Sequence, residues 1–240
     1  MKARRLMLVL LASVPVAGTS LDAQLVESGF QGRLCRDVQI RYLLHLPDGY
    51  TTTQNQWPLM LYLHGGLGRG DDFAKLMWYP VPRMLESGEY SLPFIVVIPQ
   101  CREGEMWTDT EALIALLDDI CDAHAVDPDR IYLVGYSMGG HGVWYLAYRH
   151  PERFAAIAPM SGMSNPWWTS RLKGLPVWAF HGGQDDRVPS RESEQMIASL
   201  GGDHDTVRFT LNPDRGHRPP TVQEHLELFQ WLLAQRRNQN

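Results

Sequence analysis

Short apolar runs alternate along this chain with stretches of helical periodicity, and few folds satisfy that pattern. The runs cover residues 38–46, 59–63, 94–98, 131–134, 154–158, 177–180 and 206–211, and each meets a glycine or proline within two residues of its end. Most are apolar on successive residues, so they read as strands buried on both faces. Helical patterns fill the gaps. Leu113, Leu116, Leu117 and Ile120 share a face behind the capping-box spacing Thr108-Asp109-Thr110-Glu111, and residues 138–149, 191–200 and 222–236 are the other helical stretches. Strand and helix in alternation predict an α/β fold: a doubly wound, mostly parallel sheet with helices on both faces.

The 240 residues, 44% of them apolar, can bury a full core, and no repeat, low-complexity tract or linker divides them. A single domain over 24–240 is expected. Ahead of it, Lys2, Arg4 and Arg5 precede the apolar run 6–12, which Pro15 breaks. Residues 1–23 therefore read as an export signal, with 16–18 a competing cleavage region. The mature protein is then expected to be secreted or periplasmic. No apolar stretch is long enough to span a bilayer, so no membrane partner is expected after signal removal. A net charge of −5 and the lack of a basic stripe argue against nucleic acid. Cys35, Cys101 and Cys121 lack metal-ligand spacing, so no metal is expected. Export permits one disulfide, but the sequence does not select the pair. It does not reveal the oligomeric state either.

Gly135-Tyr136-Ser137-Met138-Gly139 lies between the run 131–134 and the helix 138–149. A serine on such a turn stands at the sheet edge and at a helix N-terminus, where free amides favour developing negative charge. Ser137 is thus the candidate nucleophile. Its hydroxyl needs a base, and in this arrangement an acid and then a histidine follow the serine along the chain. Of nine histidines, only His217, in the loop after 206–211, has both the order and the position. Asp185, beyond the run 177–180, is the candidate acid and Asp186 its rival. One of the pair is expected to cap the helix beginning near Ser190.

An oxyanion hole needs two backbone donors. Met138 supplies one candidate amide. The other comes from the glycine-rich stretch 64–68, with Gly66 as the choice and Leu67 as the alternative. His64 reads as a loop anchor. Trp167 and Trp168 are candidates for substrate binding, or else pack beneath a loop, and Met77, Trp78 and Tyr79 pose the same alternative. No insertion is large enough for a lid, so an open cleft is expected.

Leu63-His64-Gly65-Gly66, Arg69-Gly70-Asp71-Asp72, Pro99-Gln100-Cys101, Trp107, the stretch 130–140, Gly142 and Trp144 occur together. In this combination the chain resembles small bacterial esterases and predicted peptidases of the α/β-hydrolase superfamily. These are similar to prolyl-oligopeptidase-type and dienelactone hydrolases, acyl-protein thioesterases, and feruloyl or acetylxylan esterases. The resemblance spans about 38–231. It implies the α/β-hydrolase fold, no cofactor, and a triad of Ser137, Asp185 and His217. The acid falls on Asp185 within His-Gly-x-x-Asp-x-x-Val-Pro. It further implies hydrolysis of a small-molecule or polysaccharide ester through an acyl-enzyme. A peptidase or amidase on short peptides is the alternative among enzymes. A non-catalytic binding protein on a hydrolase scaffold is the alternative outside them.

Overall fold

The computed structural model describes residues 24–33, 36–50, 56–201 and 206–237, so the expected export signal and Cys35 lie outside the described residues. Strand β1 (Gln24–Arg33) pairs antiparallel with β2 (Asp37–Leu46), which runs antiparallel to β4 (Ile95–Pro99). Strands β3 (Trp57–Leu63), β4, β5 (Val126–Tyr136), β6 (Ala156–Met160), β7 (Val177–Gly182) and β8 (Val207–Asn212) are parallel to one another. The eight strands stand in the order β1-β2-β4-β3-β5-β6-β7-β8. This is the doubly wound, mostly parallel α/β sheet that the sequence predicts.

Helices α2 (Thr110–Ala123), α3 (Met138–Arg149) and α4 (Arg191–Leu200) bury their apolar sides on one face. Helices α1 (Pro80–Ser87) and α5 (Val222–Leu233) cover the other. The layering explains the continuous apolar runs. Every residue of β4 and β6 is buried, whereas the edge strand β8 is mostly half-buried.

Strand order reverses at β3, which has β4 on one side and β5 on the other. A crevice therefore opens beyond the carboxyl ends of β3 and β5, where sheets of this kind place their ligands. Register sets Leu63 beside Gly135, so the loop leaving β3 meets the turn leaving β5.

Several elements differ from the sequence expectation. Strand β1 carries glycines and little apolar alternation, and its pairing with β2 holds it. Helix α1 opens on Pro80 and contains Pro82, both in the first turn, where a missing N–H costs nothing. It ends at Gly88 in the left-handed region, φ 66°. The N-cap of α2 is Asp109, which accepts from the Ala112 amide, and not Thr108. A full capping box stands instead at Thr221 and Glu224, opening α5, which stops at Leu233 short of the expected 236.

Candidate active site

Strand β5 passes directly into α3 through Ser137, at φ 57° and ψ −115°. For a residue with a Cβ this conformation costs on the order of 1–3 kcal/mol, so its surroundings must impose it. The Ser137 amide donates to the Met160 carbonyl at 2.8 Å, and the Ser137 carbonyl accepts from the His141 amide at 3.0 Å. Two glycines let α3 come this close. A Cβ on Gly139 would lie 1.8 Å from the Leu63 carbonyl oxygen, and one on Gly135 would lie 2.6 Å from that of Gly139. Ser137 remains half-buried and reachable.

Ser137 Oγ lies 2.8 Å from His217 Nε2, and His217 Nδ1 lies 2.7 Å from Asp185 Oδ2. A carboxylate only accepts, so Nδ1 carries the proton and Nε2 is left to accept from the serine hydroxyl. The Asp185 side chain is fully buried. Burial alone would raise its carboxyl pKa. Hydrogen bonds from the Val188 amide, His217 and the Arg187 amide outweigh burial and hold it below the ordinary carboxylate value. Asp186 is exposed. Neither aspartate caps α4, whose N-cap is Ser190 without a side-chain bond, because Asp185 Oδ1 is spent on its own turn.

The loops bearing Asp185 and His217 are tied together. Gly183 N–H donates to Asn212 O at 2.7 Å, and Gln184 N–H to Arg215 O at 2.9 Å. A Cβ on Gly182 would sit 2.2 Å from the Arg215 carbonyl oxygen. Arg215 also pairs with Glu224 at 2.6 Å, which anchors the His217 loop to the start of α5. The Tyr136 ring stands against His217 with centroids 5.3 Å apart. Sequence reasoning missed Arg215 and Glu224; an arginine two residues before the histidine and the Thr-x-x-Glu spacing were the available signals.

Gly66 opens a single 3-10 turn, Gly66–Gly68, at the end of β3. The Tyr79 hydroxyl accepts from the Gly68 amide at 3.1 Å and also from the Leu67 amide. No described hydrogen bond engages the Gly66 amide, nor that of Met138 at the first position of α3. His64 is fully buried. Its Nε2 accepts from the Cys101 amide at 3.0 Å, so Nδ1 carries the proton and donates to Gly65 O at 2.6 Å. Burial pushes its pKa down to about 4, and it clamps the loop after β3 to the loop after β4 as a neutral ring. Arg69 places a guanidinium nitrogen 3.9 Å from where a Gly66 Cβ would be, and donates to Met106 Sδ at 3.1 Å.

Trp167 and Trp168 fall on the 3-10 segment Pro166–Arg171 after β6. Trp168 packs on His141, Tyr145 and Tyr148 of α3, with centroids 5.6, 5.4 and 6.0 Å away, whereas Trp167 is 84% exposed. No described contact joins either ring to Ser137 or His217. Of the other aromatic candidates, Trp78 is exposed and Tyr79 is buried against the Gly66 turn. A cavity of about 520 Å³ lies between the start of β2 and the loop 100–109, lined by Val38, Ile40, Met106, Trp107 and Leu113 and not by Ser137. Cys101 and Cys121 are free thiols, both pushed up to about 11 chiefly by burial. Among the described residues no three His, Cys, Asp or Glu side chains gather as a metal site would require.

Comparison with known proteins adds to this geometry. A family model described as "Putative esterase" matches residues 36–227. "Putative esterase NocK" of Nocardia uniformis subsp. tsuyamanensis is 26% identical over 159 residues, 62% of this chain and 46% of that protein. The bifunctional acetylxylan esterase/xylanase XynS20E of Neocallimastix patriciarum is 29% identical over 148 residues, 58% of this chain and 21% of that protein. The chain thus spans less than half the length of these curated relatives. The crystal structure of a thermostable esterase superposes with a TM-score of 0.72 at 25% identity, over 89% of this chain and 63% of that one.

Proposed function

The chain belongs to the family described as "Putative esterase", and from that premise we propose that it hydrolyses carboxylic esters with Ser137 as nucleophile. Ser137 Oγ attacks the ester carbonyl while its proton passes to His217 Nε2. The buried carboxylate of Asp185 holds the Nδ1–H and stabilises the imidazolium. The amides of Met138 and Gly66 receive the oxyanion, each contributing on the order of 3–4 kcal/mol to the transition state. His217 returns the proton to the leaving alcohol, and an acyl-enzyme remains. Water, deprotonated by the same ring, then releases the acid and restores Ser137.

One observation carries this reading. An unbroken hydrogen-bonded path of 2.8 and 2.7 Å runs from a serine in a strained turn, through one imidazole, to a buried anion. The proposed substrate is a small-molecule or polysaccharide ester, supported by the relative named for acetylxylan. Residues 1–23, read as an export signal, set the reaction outside the cytoplasm, and N-terminal sequencing of the mature protein tests that.

The deciding experiment is a panel of short and long p-nitrophenyl esters, acetylated xylan, a feruloyl ester and a peptide anilide, with Ser137→Ala as control. Ester turnover is expected to fall by about a thousandfold or more in the variant, and a fluorophosphonate is expected to label only the wild type. Faster turnover of the anilide than of the matched ester would move the reading to a peptidase. A wild type that is neither labelled nor active would move it to a binding protein.

A further inference from the structure

His181, the penultimate residue of β7, lies four residues before Asp185, is 1% exposed, and has both ring nitrogens engaged. Nε2 lies 2.8 Å from the Val188 carbonyl oxygen and 3.4 Å from Asp185 Oδ2. Both are acceptors only, so Nε2 carries the proton and faces the two of them as a fork. Nδ1 is then the acceptor for the Ser193 hydroxyl, 2.7 Å away on α4 and itself 1% exposed. The Val188 residue held by this fork is the one whose amide holds Asp185 Oδ1 at 2.8 Å.

We propose that His181 is a positioning residue for the hydrolysis: it aims the Asp185 carboxylate at His217, and Ser193 sets the tautomer that lets it do so. The inference rests on the serine-hydrolase reading and extends its hydrogen-bonded path inward. The hydrogen-bonded path becomes Ser193, His181, Val188, Asp185, His217, Ser137, anchored on α4, with His181 Nε2 also 3.4 Å from Asp185 Oδ2. Packing alone does not explain the choice of residue. A buried leucine would fill the space without desolvating two nitrogens, whereas here each nitrogen meets a partner of the right polarity. The ring bears on both carboxylate oxygens, by its 3.4 Å approach to Oδ2 and through Val188 on Oδ1. Asp185 Oδ2, held on this side by His181, accepts from the Nδ1–H of His217 on the other.

Three variants test it. His181→Asn keeps an atom near Ser193 but cannot reach Val188 and Asp185. His181→Gln restores an N–H near the position of Nε2. Ser193→Ala leaves the ring without its tautomer-setting donor. In His181→Asn, kcat on a p-nitrophenyl ester is expected to fall about tenfold to a hundredfold, the scale of a small misplacement of a catalytic group, with KM nearly unchanged. The downfield proton resonance of the His217–Asp185 hydrogen bond should disappear with it. His181→Gln should recover most of the loss and the resonance.

The proposal is overturned if His181→Asn keeps both wild-type kcat and the resonance, or if Asn and Gln variants lose equally, which would mark shape and not the N–H as the cause. Should His181→Asn fail to fold, Ser193→Ala decides. A reduced kcat and a shifted resonance support the proposal, and no change in either overturns it. The resonance is visible without turnover, so failure here is distinct from failure of the serine reading, which Ser137→Ala reports.

Discussion

The two sides of the candidate site are built by different means. On the β3 and β5 side, backbone sterics do the positioning: Gly135 and Gly139 let α3 press against Leu63, and Ser137 is driven into a positive-φ turn. On the β7 and β8 side, close backbone packing at Gly182 is joined by polar side chains: His181, Arg215 and Glu224 help to hold Asp185 and His217 through hydrogen bonds and an ion pair. Packed backbone cannot give way by rotating a side chain, whereas a hydrogen-bonded network can lose one member and keep its shape. Substitutions of the packed glycines on the first side should therefore act through folding, and those of the polar side chains on the second through catalysis.

The largest effect is expected from Gly139→Ala. Its Cβ would stand 1.8 Å from a backbone oxygen, so helix and strand must separate. A loss of more than about 4 kcal/mol places this among the exceptional substitutions. Soluble yield and the circular dichroism melt are the readouts, and a folded Gly139→Ala protein with ordinary stability would break the comparison. Asp185→Asn should do the reverse. It preserves shape and the acceptor for the Val188 amide, but favours the wrong His217 tautomer. A drop in kcat of about ten-thousandfold is expected, the scale known for the same change in a serine-protease triad, with the melt little moved. If Asp185→Asn unfolds the protein, the polar side is structural too and the division fails.

Much of the first side was legible in the sequence, because glycines at fixed offsets around a serine between a strand and a helix leave few backbone solutions. Order along the chain then singled out His217 from nine histidines, and the structure places its ring between Ser137 and Asp185. The second side was less legible. Nothing local distinguishes Arg215 as the partner of Glu224, since that pairing depends on how the loop after β8 lies across the start of α5. Helix α1 was hidden because prolines, here at 80 and 82, disfavour a helix everywhere but in its first turn. Asp185 and Asp186 read alike as caps, yet one is buried under His217 and the other faces water.

Acid should separate the two sides by window. His64, on the backbone-built side, is held neutral by burial with a pKa near 4 against an ordinary 6.5. The unfolded chain binds that proton first, so the His64 contribution is complete above pH 6.5 and is lost as pH falls toward 4. At about 1.4 kcal/mol per unit, its share is on the order of 3 kcal/mol. Asp185 has a folded pKa below the ordinary 3.8, so its contribution is present above that value and is lost only at lower pH. Denaturant melts across pH should show His64→Gln flattening the slope between pH 6.5 and 4. Buried His45 and His225, also lowered chiefly by burial, leave a remainder. An unchanged slope in His64→Gln would mean that the ring is charged in the folded protein.

The smallest effects are expected outside both sides, at the adjacent tryptophans. Trp168 lies against three rings of α3. Its replacement by alanine should lower stability by about 1–2 kcal/mol, less than a fully buried aromatic would. Trp167 is 84% exposed, and Trp167→Ala should shift stability by no more than about 0.5 kcal/mol. The indole then has no structural task, and a flat exposed ring on a loop from the catalytic edge of the sheet is suited to stacking on the distant part of a large ester. Stacking worth about 0.5–1.5 kcal/mol corresponds to a rise in KM of a few fold for acetylated xylan, with kcat unmoved and p-nitrophenyl acetate unaffected. If KM rises equally for the small ester, Trp167 reaches the reacting centre, and the site has a third, aromatic wall that the two-sided description omits.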